Sequence, residues 1–163
     1  HRAVSRVRAQ RSLNQALLIR PKMGAAVCTS KVTPRMRTLE SEAIHRDSIA
    51  CLDARDWARL GKFVHADVRY NCRPLGLEGY RAMLENDHAQ IPDLHFEIKK
   101  LIADPQQVAC RHRFDVTPRG EFLGLPVNGR RVTFCEHALY AFRDQKIHEV
   151  WSIIDKAAIE AQL

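Results

Sequence analysis

At Pro92 the hydrophobic period of this chain changes from 3.6 to 2, which divides it into a helical part and a part made of strands. Upstream, Leu77, Tyr80, Met83, Leu84 and Ile91 recur at three, four and seven, which predicts a helix from Leu77 to about Gln90. Leu39, Ala43, Ala50, Trp57 and Leu60 predict a helix pair or one broken helix up to Gly61, with Asp53 or Asp56 capping its second segment. A short strand is expected over 66–71. Downstream, Leu94, Phe96 and Ile98 alternate with polar partners, and three longer runs, Val108 to Thr117, Arg131 to Phe142 and Lys146 to Ile154, read as strands. Asp104-Pro105 and Asp144-Gln145 supply turns, and Asn128-Gly129 is the strongest short hairpin signal. The last residues, 156–163, read as a short helix. Helices first and antiparallel strands after them predict an α+β fold, with the helices on one face of a curved sheet.

With 163 residues the chain has room for one such core, placed at 39–163. The net charge of +7 does not belong to that domain: residues 1–38 carry seven Arg and two Lys and no acid, or +9, which leaves −2 for the remainder. The basic stretch reads as an extension without a folded role, resembling a transit peptide or a phosphate-seeking arm only in composition. A specific nucleic-acid partner is therefore not expected. No apolar run is long enough to cross a membrane. Five cysteines without metal-ligand spacing read as reduced, buried and inert, as in a cytoplasmic protein. The eight His are scattered singly, and GxSxG, GxGxxG, P-loop and HExxH motifs are absent, so neither metal nor cofactor is expected.

The last two long strands are apolar on both sides, with Val132, Phe134, Ala138, Tyr140 and Phe142 opposite Cys135, Leu139 and Ala141. The helices can cover one side only. A second copy of the chain is the expected cover for the outer face, to which unbroken alternation also assigns Val150 and Ile154, with His137 and His148 in or near the contact.

Five segments carry a resemblance: Gly79-Tyr80-Arg81-Ala82-Met83-Leu84, Ile91-Pro92-Asp93-Leu94-His95-Phe96-Glu97-Ile98, Gly120-Glu121-Phe122-Leu123-Gly124-Leu125-Pro126, Asn128-Gly129-Arg130-Arg131-Val132-Thr133-Phe134 and Lys146-Ile147-His148-Glu149-Val150-Trp151. In that order and spacing the chain from about residue 40 resembles the SnoaL-like polyketide cyclases, also called ester cyclases. The resemblance implies a nuclear transport factor 2-like cone, a bent sheet wrapped around helices with a cavity between them. It also implies ring closure by intramolecular aldol condensation, without metal or organic cofactor, through acid/base chemistry in an apolar pocket. Two positions depart from the pattern. The family's catalytic Asp falls on Ala138, and its Thr-His-x-Gly-Glu-Phe loop reads Thr117-Pro118-Arg119-Gly120-Glu121-Phe122.

Alternation offers a substitute base, because Glu136 shares a face with Phe134, Ala138 and Tyr140. Desolvation among aromatic neighbours would raise its pKa toward the useful range. His112, on an apolar face with Val108, Cys110, Phe114 and Val116, is either a core histidine or a donor to a substrate carbonyl, as Tyr140 could also be. Glu149 and Trp151 match the family's Lys-Ile-x-Glu-x-Trp pattern, which suggests a pocket wall. Asn71 stands where many relatives carry His, near the mouth, and Asp115 reads as a surface ion-pair residue. The expected activity is a lyase, isomerase or cyclase acting on a small apolar carbonyl compound, with Glu136 and His112 catalytic and Tyr140, Trp151, Phe134, Phe114, Glu149 and Asn71 around the substrate. The alternative is a non-catalytic small-molecule-binding module.

Overall fold

A computed structural model describes residues 34–163 of the chain, with side chains from Arg37; most of the basic extension lies outside the described residues. Pro34, whose missing N–H costs nothing in a first turn, opens α1 (Pro34–Asp53) five residues before Leu39. The helix stops where Arg55 takes a left-handed φ of 54°, and a 3-10 turn (Trp57–Arg59) leads into α2 (Leu60–Phe63), so the broken-helix alternative is the one observed. Asp56 flanks the break but its side chain caps nothing. The buried face of α1 differs from the predicted one. It consists of Ser41, His45, Ser48, Ile49, Cys51 and Leu52, while Leu39, Ala43 and Ala50 are exposed. Polar residues occupy the inward stripe, so hydrophobicity alone points to the wrong side.

Then follow β1 (Val64–Tyr70), β2 (Arg73–Pro74) and α3 (Gly76–Gln90). Gly76 enters α3 at φ +65°, and a Cβ there would stand 3.3 Å from the Ala66 carbonyl oxygen, so only glycine turns this corner without strain. Four long strands come next: β3 (Glu97–Ala103), β4 (Gln107–Val116), β7 (Val132–Arg143) and β8 (Lys146–Ile154), with the small hairpin β5 (Glu121–Phe122) and β6 (Leu125–Pro126) between β4 and β7. The chain closes with α4 (Lys156–Glu160), capped by the Asp155 carboxylate, which accepts from the Ala158 N–H at 3.1 Å. One sheet runs in the order β2-β1-β8-β7-β4-β3, antiparallel except where β1 lies parallel to β8.

Asn128 and Gly129 do form a tight turn, both at positive φ, with Arg130 N–H donating to the Val127 carbonyl at 2.9 Å. The turn joins strands of two different sheets, so no hairpin results: β6 pairs with β5, and β7 with β4 and β8. Asp144-Gln145, also at positive φ, makes the β7–β8 hairpin as expected.

In the β4–β7 ladder Val108 faces Tyr140, Cys110 faces Ala138, His112 faces Glu136 and Phe114 faces Phe134. All of these point inward, as unbroken alternation predicts. The next ladder breaks the rule. Phe142 pairs with Ile147 but Ala141 pairs with Glu149, which leaves His148 as an extra residue, a β-bulge whose ring bonds the Ala141 carbonyl at 3.1 Å. Beyond it the alternation of β8 is inverted: Val150, Ser152 and Ile154 point inward, Glu149, Trp151 and Ile153 outward. The expected placements of Val150 and Ile154 outside, and of Trp151 and Glu149 in the pocket wall, are thereby corrected.

Candidate active site

Between α3 and the inner face of the sheet lies a cavity of about 180 Å³. Phe96, Phe114 and Phe134 form its apolar wall, with the β5–β6 hairpin folded over one side through Phe122 and Leu123. Phe114 stacks on Phe134 with ring centroids 5.1 Å apart, and Phe96 meets Phe114 edge-on at 5.3 Å. Three polar side chains reach this space: Glu136 from β7, Asp87 from α3 and Tyr70 from the end of β1.

Glu136 is held from two sides. His112 Nδ1 lies 3.2 Å from Oε2, and the Ser152 hydroxyl donates to Oε1. Opposite a carboxylate that only accepts, the His112 tautomer that fits this contact carries its proton on Nδ1. Ser152 is itself fixed by Asn71, whose side chain accepts from its N–H at 2.9 Å and donates to its carbonyl at 3.2 Å. Asn71 thus clamps β8 from the β1–β2 turn and borders a second concavity at the mouth, shared with Tyr70 and Leu123.

Asp87 is the site residue that sequence reasoning missed. Burial, and then the charge of Glu136, push its carboxyl up from 3.8 to about 6. A lone acid on a helix reads as solvated, and only the turn spacing from Tyr80 and Leu84 could have placed it near the inward side. Burial, with Ser152 as a hydrogen-bond partner, leaves the Tyr70 hydroxyl raised above its ordinary value of 10.

The other expected residues sit elsewhere. His112 is fully buried behind Glu136 and does not line the cavity. Tyr140 does not line it either, its ring lies 4.4 Å from that of His45, and burial pushes its hydroxyl far above the usual range. Trp151 borders the outer face with His137 and Leu139. Glu149 pairs with Arg69 at 3.6 Å, and Asp115 pairs with Arg131 at 2.7 Å and Arg113 at 3.9 Å at the surface. Phe114 and Phe134 are in the wall, as placed by sequence. Cys72 is exposed and Cys135 half-buried, against the expectation of buried thiols, while Cys51 and Cys110 are buried and Cys28 lies outside the described residues.

Helices packed against a curved, mostly antiparallel sheet that closes over an apolar cavity define the nuclear transport factor 2-like class. The family model for SnoaL-like polyketide cyclases matches residues 42–163, and the chain belongs to that family. A SnoaL-like polyketide cyclase from Agrobacterium tumefaciens is 48% identical, with a TM-score of 0.74 over 75% of this chain and 96% of that one. TsrD from Streptomyces laurentii (21% identity, TM-score 0.67, 76% and 94% covered) and IdmH from Streptomyces antibioticus (21%, 0.65, 75% and 96%) share the fold. No curated protein matches the chain. Among the described residues no helix is long and apolar enough to cross a membrane.

Proposed function

We propose that the chain is an acid/base catalyst, a lyase, isomerase or cyclase that removes a proton from the carbon next to the carbonyl of a small apolar compound. The observation that carries this reading is two carboxylates in one mainly apolar cavity with different environments. Glu136, fixed by His112 and Ser152, takes the carbon-bound proton. Asp87, near half-protonated at a pH of about 6, returns a proton or holds the enolate oxygen, with the Tyr70 hydroxyl as a second donor. His112 then acts as a positioning residue and not as a donor to substrate. At about 180 Å³ the space is below the roughly 300 Å³ of sites for drug-sized ligands, which favours a one-ring or acyclic substrate. No step requires a cofactor.

Proton exchange into deuterated water from a panel of apolar 1,3-dicarbonyl compounds, followed by NMR, tests the reading. Glu136→Gln is expected to slow exchange by about 10²–10⁴-fold. An unchanged rate would remove Glu136 from the mechanism. The second reading, a non-catalytic binder, is favoured by Ala138, which points inward at the position of the family's Asp. Mass spectrometry of molecules released on denaturing separates the two, since a binder releases a stoichiometric, unaltered ligand.

The outer face supports a homodimer, with membership corrected by the bulge. Ile153 and Ile102 are 74% and 62% exposed and lie beside Leu139, Trp151 and His137. A second copy about a two-fold axis would bury them.

A further inference from the structure

We propose that His45, Cys110 and His112 form a zinc site between α1 and the sheet. Cys110 and His112 stand two apart on β4 and so share its inner face, and His45 comes from the α1 stripe packed against it. One donor atom from each lies within 4.8 Å of the other two, and all three residues are buried. Independently of that spacing, Nδ1 and Nε2 of His45 and Nε2 of His112 have no hydrogen-bond partner. Buried ring nitrogens rarely stay unpaired, because each has given up water for nothing.

The orientation of His112 fits a ligand. Its Nδ1 proton is engaged by Glu136 at 3.2 Å, which leaves the Nε2 lone pair free. A histidine that gives its second nitrogen's proton to a carboxylate is the usual arrangement behind a metal-bound imidazole. Two imidazoles and a thiolate suit zinc and exclude the oxygen-seeking magnesium and calcium. Tetrahedral zinc would hold sulfur and nitrogen donors about 3.5 Å apart, so from separations of at most 4.8 Å the three close in by up to about 1.3 Å. The fourth position is left to a small ligand. An ion there would pin α1 to β4 on the side of His112 remote from Glu136, and the inference does not depend on the catalytic reading. It departs from the sequence, in which these residues show no metal-ligand pattern because 64 residues lie between His45 and Cys110.

The test uses the full chain, stripped with chelator and titrated with cobalt(II), then with zinc(II). One equivalent of cobalt should give thiolate-to-metal charge transfer in the near ultraviolet and intense tetrahedral bands in the visible, both removed by one equivalent of zinc. Cys110→Ser should abolish the charge transfer, and His45→Gln should weaken cobalt binding by at least about tenfold. X-ray absorption of the zinc-loaded wild-type chain, which needs no variant to fold, should find one sulfur at about 2.3 Å and nitrogen near about 2.0 Å. Absence of charge transfer at saturating cobalt, its survival in Cys110→Ser, or a shell of nitrogen and oxygen only would overturn the proposal.

Discussion

The two faces of β7 have similar composition and different fates. Inward, Val132, Phe134, Ala138 and Tyr140 are buried by α1, α3 and the β5–β6 hairpin, and Glu136 is the one charge among them. Outward, Cys135, Leu139 and Ala141 stand beside Ile102, Trp151 and Ile153, where among the described residues no element covers them. Alternation tells that a strand has two faces. Which of them the chain can cover by itself depends on the helices, and which residues of the neighbouring strand join each face depends on the bulge.

Truncations would break this contrast most sharply on the inner face. Phe134→Ala, at a residue 4% exposed and stacked on Phe114, is expected to destabilise folding by about 3–5 kcal/mol in chemical denaturation. A loss below about 1 kcal/mol would mean that the cavity wall collapses freely and the inner face is no better specified than the outer.

Asp87→Asn should act with the opposite sign. In the folded chain Asp87 keeps its proton up to a pH of about 6, against 3.8 for an ordinary Asp. Stability from this group is therefore full below about pH 4, and is lost as pH rises through 6, because deprotonation then leaves a charge in a mostly apolar cavity. The variant should exceed wild type by about 2–3 kcal/mol at neutral pH and match it near the lower limit, while losing exchange activity. A stability difference independent of pH would remove the burial of that charge from the account.

On the outer face the expected cost to the fold is smallest. Leu139→Asp should change the stability of the protomer by only about 0.5 kcal/mol, as exposed substitutions do, yet convert a dimer to a monomer in light scattering. Wild type found monomeric at micromolar concentration would end the dimer proposal.

Much of the fold was legible because its signals are local and unbroken. Ten residues of strict alternation in β4 put His112 and Phe114 on one face, and the match across the ladder put Glu136 with them. Helix α3 begins one residue before its predicted start and ends where it was predicted to end. What failed did so for physical reasons. Ser41, His45 and Ser48 turn a polar stripe inward, so the apolar count on α1 chose its exposed side. Asp87 gains its meaning only from Glu136, a residue 49 positions away. The bulge at His148 carries no glycine or proline to announce it, and one uncounted residue was enough to move Trp151 from the predicted pocket to the outside.

That uncounted residue works like a shift of reading frame written in side chains instead of codons. Draw His148 into the ladder as an ordinary strand residue and everything from Glu149 to Ile154 exchanges faces at once: Trp151 and Ile153 would crowd the cavity, and the Ser152 hydroxyl would leave Glu136 for the exterior. Substitutions along β8 each alter one contact, whereas flattening the bulge with His148 kept in the strand would rewrite both surfaces together. The bulge, and no single side chain of β8, therefore decides which of the two surfaces each residue beyond it serves.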